Sequence, residues 1–160
     1  MTWAAVRVRG QVHLSADTRD TLRLLRLTRA NHCVLLVETD ANRGMLQKVK
    51  DHITWGEVTL QTVENLLAAR GLAHGRKRLV DAHLQGSKFK HVKEFAAAIA
   101  AGQAKLGDVP AVIPVLRLPP PRQGFEGSKR AFAAGGALGY RGQDINDLLA
   151  RMLSSGDHPW

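Results

Sequence analysis

Asn42, Arg43 and Gly44 stand where an apolar run, HCVLLVE (32–38), gives way to a helical pattern. A cation and a small residue at such a junction can hold phosphate, because unpaired backbone N–H groups and the positive end of the helix dipole meet there. Three readings fit these residues: a nucleotide pocket, a clamp on a nucleic-acid backbone, or a tight connection. A second set lies further along, where Arg117, Arg122, Lys129, Arg130 and Arg141 run through a Gly/Pro-rich stretch with Phe125, Phe132 and Tyr140 interleaved. Cations bind phosphates and aromatic rings stack on unpaired bases, so this pattern suits single-stranded or irregular RNA. Rings that merely anchor the loop on the body fit equally well. Arg76-Lys77-Arg78 and Lys88, Lys90 and Lys93 add phosphate contacts or solvated charge.

Other chemistries find less support. The seven histidines (His13, His32, His52, His74, His83, His91 and His158) include no HxxxH pair, and none stands at ligand spacing from the single cysteine, so no metal site is expected. Cys33 lies inside an apolar run and reads as a small buried hydrophobe. GxSxG and SxxK are absent. Asp17 and Asp20 read as helix-capping residues, and Glu38 and Asp40 as ion-pair partners of Arg43. The glycines at 135, 136, 139 and 142 follow no strand and leave too little chain for a dinucleotide-binding unit. GSK occurs at 86–88 and 127–129 without the rest of a phosphate-binding P-loop. No helix-turn-helix, zinc finger, KH loop or RRM signature stands out.

Hydrophobic periodicity supplies the elements that must position these residues. Residues 3–9 (WAAVRVR) alternate as a half-buried strand, with Ala5, Arg7 and Arg9 on one side. Asp17 is the expected cap of a helix with Thr21, Leu22, Leu24, Leu25 and Leu27 inward, and Arg19, Arg23, Arg26 and Arg29 lining its exposed side. The apolar run 32–38 predicts a strand covered on both faces. Next come a short helix from Arg43 to about Lys50 and a strand at 52–58, weakened by Gly56. The result is β-α-β-α-β in 58 residues. Beyond it, a helix closes at Gly71, a basic loop with a short strand at 79–82 spans 71–87, and a second helix closes at Gly102. Pro114 marks VIPVLRL as an edge strand, and Asp144 precedes a helix with Ile145, Leu148, Leu149, Met152 and Leu153 on one face. The expected core holds Val6, Val8, Leu22, Leu25, Val34, Leu36, Met45, Val49, Ile53, Leu66 and Leu149.

Bulk properties narrow the class. At 160 residues and 44% hydrophobic, the chain can bury one ordinary core. No apolar run approaches the ~20 residues of a membrane span. The N-terminus lacks the apolar block of a secretory signal, and one cysteine fits a reducing compartment, so the cytosol is expected. Lys and Arg number 23 against 14 Asp and Glu, a net +9 that points to a polyanionic partner. Residues 110–142 hold five bases and one acid, whereas 143–160 hold one base and three acids. The excess charge therefore belongs to the folded body and not to a detachable tail.

Three stretches together resemble a known family. VRVRGQV, NHCVLLVETD and NRGMLQKVKDHITWGEV are similar to the core of the large-subunit ribosomal protein numbered thirty in bacteria and archaea and seven in eukaryotes. In that family an Arg-Gly-Met triplet opens the second helix, here Arg43-Gly44-Met45. LRLPPPRQGFEGSKRAFAAGGALGYRGQDINDLLARM resembles the archaeal and eukaryotic extension, with Pro121-Arg122-Gln123-Gly124 where Pro-Arg-Gly-Gly is more usual. The resemblance implies an α+β fold. Its β-α-β-α-β core (1–58) would carry a three-stranded antiparallel sheet related to the ferredoxin-like fold, two layers in all, with an archaeal-type extension (59–160) packed on it. It also implies a structural role on the cytoplasmic ribosome, contacting large-subunit ribosomal RNA, 5S ribosomal RNA and neighbouring ribosomal proteins. Catalysis, a cofactor, a membrane and a small-molecule substrate are not expected. On this reading Arg43 and Gly44 face an RNA backbone. Arg117, Arg122, Lys129, Arg130 and Arg141 are the main phosphate contacts, and Arg7, Arg9, Arg29, Asn31, His32 and Lys48 are secondary ones. A free-standing nuclease, or an RNA regulator acting off the ribosome, is the alternative.

Overall fold

The computed structural model describes residues 2–10, 14–127 and 129–153. Gln11 and Val12 of the first family-like stretch, and residues 154–160 of the extension, lie outside the described residues. Strand β1 (Thr2–Arg7) lies between β2 (His32–Val37) and β3 (Ile53–Glu57), antiparallel to both. Helices α1 (Ala16–Leu24) and α2 (Asp40–Lys48) connect them. This is the expected β-α-β-α-β core. After it come α3 (Leu60–Arg70), the strands β4 (Leu72–Ala73) and β5 (Lys77–Arg78), and α4 (Val92–Ala100). The chain ends in β6 (Leu116–Arg117), β7 (Gly139–Tyr140) and α5 (Ile145–Leu153).

The extension completes the sheet as well as covering it. β6 adds antiparallel to β2 and β7 adds parallel to β3, giving a mixed five-stranded sheet in the order β6-β2-β1-β3-β7 instead of three strands. Odd residues of β1, Trp3 and Ala5, pack with Leu22 of α1, Leu46 of α2, and Leu25 and Val49, the residues just after those helices. Even residues, Ala4 and Val6, pack with Val63, Leu66, Phe95, Ile99 and Leu149 from α3, α4 and α5. The expected two layers thus carry a third, supplied by the extension. β1 is consequently buried along its whole length, not half-buried.

Several local expectations shift for identifiable reasons. Ser15, not Asp17, caps α1, its Oγ accepting from Thr18 N at 3.2 Å. Leu24, the last residue of α1, is 73% exposed, and Leu36 and Met45 are only half-buried. Thr39 caps α2 by accepting from Asn42 N at 3.2 Å, so the helix starts at Asp40 and Arg43 stands in its second turn. Residues 71–87 hold a β4–β5 hairpin and a 3-10 turn (Asp81–Leu84) in place of a strand at 79–82. Gly71 is not left-handed; a Cβ there would lie 2.5 Å from Leu67 O, so the need for glycine is one of packing. Gly56 is similar: its added Cβ would meet Gly142 O at 1.8 Å, so glycine lets the chain after β7 cross β3.

Candidate nucleic-acid interface

Antiparallel pairing brings the end of β1 beside the starts of β2 and β3, and the cations collect at that end. Arg117 of β6 lies opposite His32 in register, with Arg29 and Asn31 in the connection before β2. Arg9 follows β1, and both Val8 N and Arg9 N donate to His52 O, at 2.9 and 3.2 Å. Among the described residues, Arg9, Arg29 and Arg117 make no ion pair with a carboxylate. The field they create is visible in the histidines. Burial, then Arg117, Arg29 and Arg7, hold His32 below its ordinary value. His52 is lowered by burial and then by Arg9, with Asp51 opposing. Asn31 takes a left-handed φ of 68°, and the buried Oδ1 of Asn31 and Nδ1 of His52 find no hydrogen-bond partner among the described residues.

Arg7 supports this end from beneath and is not a surface contact. It is 2% exposed, and its guanidinium donates to Leu27 O at 2.8 Å, Arg9 O at 2.9 Å and Gly10 O at 3.3 Å. Those carbonyls end the α1 connection and the β1 tail, so Arg7 fixes the backbone from which Arg9 and Arg29 project. Sequence alternation grouped Arg7 with Arg9; the connection after α1, whose Leu27 carbonyl accepts from the buried Arg7, separates their roles.

The Gly/Pro-rich loop docks on the same end through Val8, Ala137, Leu138 and Phe125. Arg122 N donates to Arg151 O at 3.2 Å, and Arg151 reaches Glu126 at 3.6 Å, which pins the start of the loop to the last turn of α5. Arg122, Lys129 and Arg130 are exposed. Gly136 is required here, because a Cβ would lie 2.1 Å from Arg130 O. Arg141, in contrast, is buried at 6% exposure. It donates from Nε to Thr54 Oγ1 at 2.7 Å and from Nη2 to Ala137 O at 2.9 Å, and lies 4.7 Å from the centre of the Phe132 ring. It staples the loop and leaves the set of surface cations. Phe125 and Phe132 are partly buried anchors of the loop. Tyr140 stands apart from the loop cations: its hydroxyl donates to Glu57, which raises it to about 12, and its ring lies 6.0 Å from Trp55.

Arg43 and Gly44 lie toward the opposite end of the sheet. Arg43 contacts Glu38 at 3.4 Å and Asp40 at 3.5 Å, and lies 5.6 Å from the centre of the Trp3 ring, at the beginning of β1. The ion pair anticipated from Glu38 and Asp40 is present. Gly44 is exposed in mid-helix, and an added Cβ would meet nothing within 4 Å. Lys48 is held by Asp17 at 2.7 Å, fastening α2 to α1. The candidate residues therefore form one cationic sheet end, comprising Arg9, Arg29, Asn31, His32 and Arg117, with the loop of Arg122, Lys129 and Arg130 docked on it, and a separate patch on α2. His52 joins the sheet end; its place just before β3, beside the end of β1, was the signal that could have found it.

Cys33 is fully buried, its thiol pushed up to about 12 by burial, which removes the thiolate a nucleophile needs. Among the described residues, no three His, Cys, Asp or Glu side chains gather to hold a metal ion, and no helix is long and apolar enough to cross a membrane.

Fold and surface together define a small basic α+β domain built on β-α-β-α-β, with a cluster of cations at one sheet end that make no ion pair among the described residues. The sequence profile of the family described as ribosomal protein L30p/L7e matches residues 4–53. A protein named large ribosomal subunit protein uL30 from Methanoregula boonei is 47% identical over 94% of this chain and 99% of its own length. Proteins of the same name from Methanococcus vannielii (46%, covering 96% of this chain and 100% of the relative) and Thermoplasma acidophilum (44%, 96% and 93%) agree over similar spans. The chain belongs to the ribosomal protein L30p/L7e family, in its archaeal form.

Proposed function

We propose that the chain is a structural, non-catalytic constituent of the large ribosomal subunit that holds ribosomal RNA against the cationic end of its sheet. The observation that carries this reading is the gathering of Arg29 and Arg117 around His32, and of Arg9 beside His52, with no carboxylate ion-paired to any of the three among the described residues. Unpaired cations on a rigid platform are suited to phosphates, and arginine forks to two phosphate oxygens at once. Arg122, Lys129 and Arg130 on the docked loop extend the same surface. Such contacts position a protein, and selectivity then follows from RNA shape.

The names of the archaeal relatives support the large subunit as the assembly. The family resemblance supports large-subunit ribosomal RNA as the main partner, 5S ribosomal RNA as a second, and neighbouring ribosomal proteins at the remaining faces, on cytoplasmic ribosomes. Arg43 and Gly44 make a secondary contact. An exposed mid-helix glycine with open space above it costs about 1 kcal/mol relative to alanine and gains no contact from the described residues in return. It suits an RNA backbone passing close over α2.

Sedimentation of a native lysate through sucrose in moderate salt with magnesium tests the assembly. Co-migration with the large subunit through a salt wash is expected; a peak among free proteins would instead favour the regulator or nuclease.

A further inference from the structure

The β4–β5 hairpin, in the part of the chain outside residues 4–53, is built more firmly than a solvated basic loop requires. Leu72 pairs with Arg78 and Ala73 with Lys77, leaving His74, Gly75 and Arg76 as the connecting loop. Its other edge is also held: Ile113 N donates to Leu72 O at 2.9 Å and His74 N to Ala111 O at 3.0 Å. The His74 ring lies 2.6 Å from Pro110 O through Nε2. Arg78 donates to Ala68 O at 2.8 Å in the last turn of α3, where Gly71 permits close packing under Leu79. The tip is thus clamped from three sides, and it presents Arg76 and Lys77 exposed, with no ion pair among the described residues.

Arg76 has a left-handed φ of 60°, directly after Gly75 at 83°. Hairpin loops of this length place glycine at that position, because a side chain there is strained. Local stability therefore gives no reason for arginine, and neither does a partner among the described residues.

We infer that the hairpin tip, through Arg76 and Lys77, is an additional RNA-backbone contact, separate from the cationic sheet end. This rests on the RNA-binding reading above. Phosphodiester oxygens are the favoured ligand because the tip offers two free cations and no apolar anchor, whereas a protein interface is centred on a buried apolar residue. Preorganisation by the clamps spares the ordering cost that a loose basic loop would incur on binding.

Filter binding of the full chain to deproteinised archaeal large-subunit ribosomal RNA over a salt series, with melting curves on the same samples, tests the inference. Arg76→Gly should melt at or above the wild-type temperature, because glycine relieves the left-handed strain. It should nevertheless bind roughly three- to tenfold more weakly at moderate salt, with a log–log salt slope smaller by about one. Lys77→Gln should weaken binding in the same sense, and Arg117→Gln reports on the sheet end in parallel. Wild-type affinity and slope in both hairpin variants, beside a loss in Arg117→Gln, would overturn the hairpin contact alone and leave the tip to an acidic protein face. A wild-type protein that fails to bind the RNA would sink the RNA reading first, and the hairpin contact with it.

Discussion

Replacing Arg141 separates a phosphate contact from a structural staple. In Arg141→Ala, the Thr54 hydroxyl loses the Nε bond of 2.7 Å and Ala137 O the Nη2 bond of 2.9 Å, and the Phe132 ring loses the guanidinium over its face. Thr54 keeps its own bond to Gly139 O at 2.8 Å, so the hydroxyl is not orphaned, but the Ala137 carbonyl is. Bonds from a charged donor contribute about 1.5–3 kcal/mol each, and a cation over a ring about 0.5–2. The desolvation of a guanidinium that is only 6% exposed offsets part of this sum, which leaves a net loss of about 3 kcal/mol. Urea unfolding with linear extrapolation measures it, and hydrogen exchange locates it. The loss should fall on amides of residues 130–141, with the exchange of the β1–β2 ladder shifted only by the global change. A loss of stability below about 0.5 kcal/mol together with a large drop in RNA affinity would refute this reasoning and return Arg141 to the surface contacts.

Gln123 is the third residue of a turn closed by Gly124 N donating to Pro121 O at 3.0 Å, and its φ of 68° is the one that favours glycine there. Gln123→Gly, which restores the more usual Pro-Arg-Gly-Gly, should raise stability by about 0.5–1 kcal/mol in thermal melts. Gly44→Ala should also stabilise the isolated protein, by about 0.5–1 kcal/mol, while lowering its incorporation into reconstituted large subunits. Equal incorporation would remove the close approach over α2. His32 titrates below its ordinary value of 6.5 in the folded chain, so its neutral form is the one favoured by folding. Its contribution to stability is complete above pH 6.5 and declines as pH falls from there through the depressed folded value. Phosphate beside His32 raises its pKa, so RNA affinity should increase between pH 7.5 and 6 and lose that increase in His32→Gln; affinity independent of pH in the wild type would contradict the placement.

Elements with strong local signals were legible in the sequence. Alternation at 3–9, the apolar run at 32–38 and the Leu148/Leu149/Met152 face of α5 each correspond to an observed element, although alternation understated the burial of β1, whose second face the later helices cover. Boundaries were harder where a capping oxygen competes with the apolar pattern. Thr39 moves the start of α2 three residues ahead of Arg43, and with it the idea that Arg43 opens the helix. The fates of the arginines could not be read locally. Alternation puts Arg7 and Arg9 on one side, and Arg130 and Arg141 share a loop, yet in each pair one is buried and the other is not. What decides is whether the connection after α1, or the returning loop, offers carbonyl oxygens to the guanidinium. The hairpin at 72–78 escaped for a related reason, being held mainly by residues 110–113, far along the chain.

Ultraviolet crosslinking of salt-washed large subunits, followed by mass spectrometry of the RNA-linked peptides of this protein, tests the central claim most directly. Crosslinks are expected on peptides carrying Arg29 to His32, Arg117 to Arg122, and Lys129 to Arg130, with none on Arg7 or Arg141. RNA crosslinks confined to other surfaces, with the sheet end unmodified, would contradict the account.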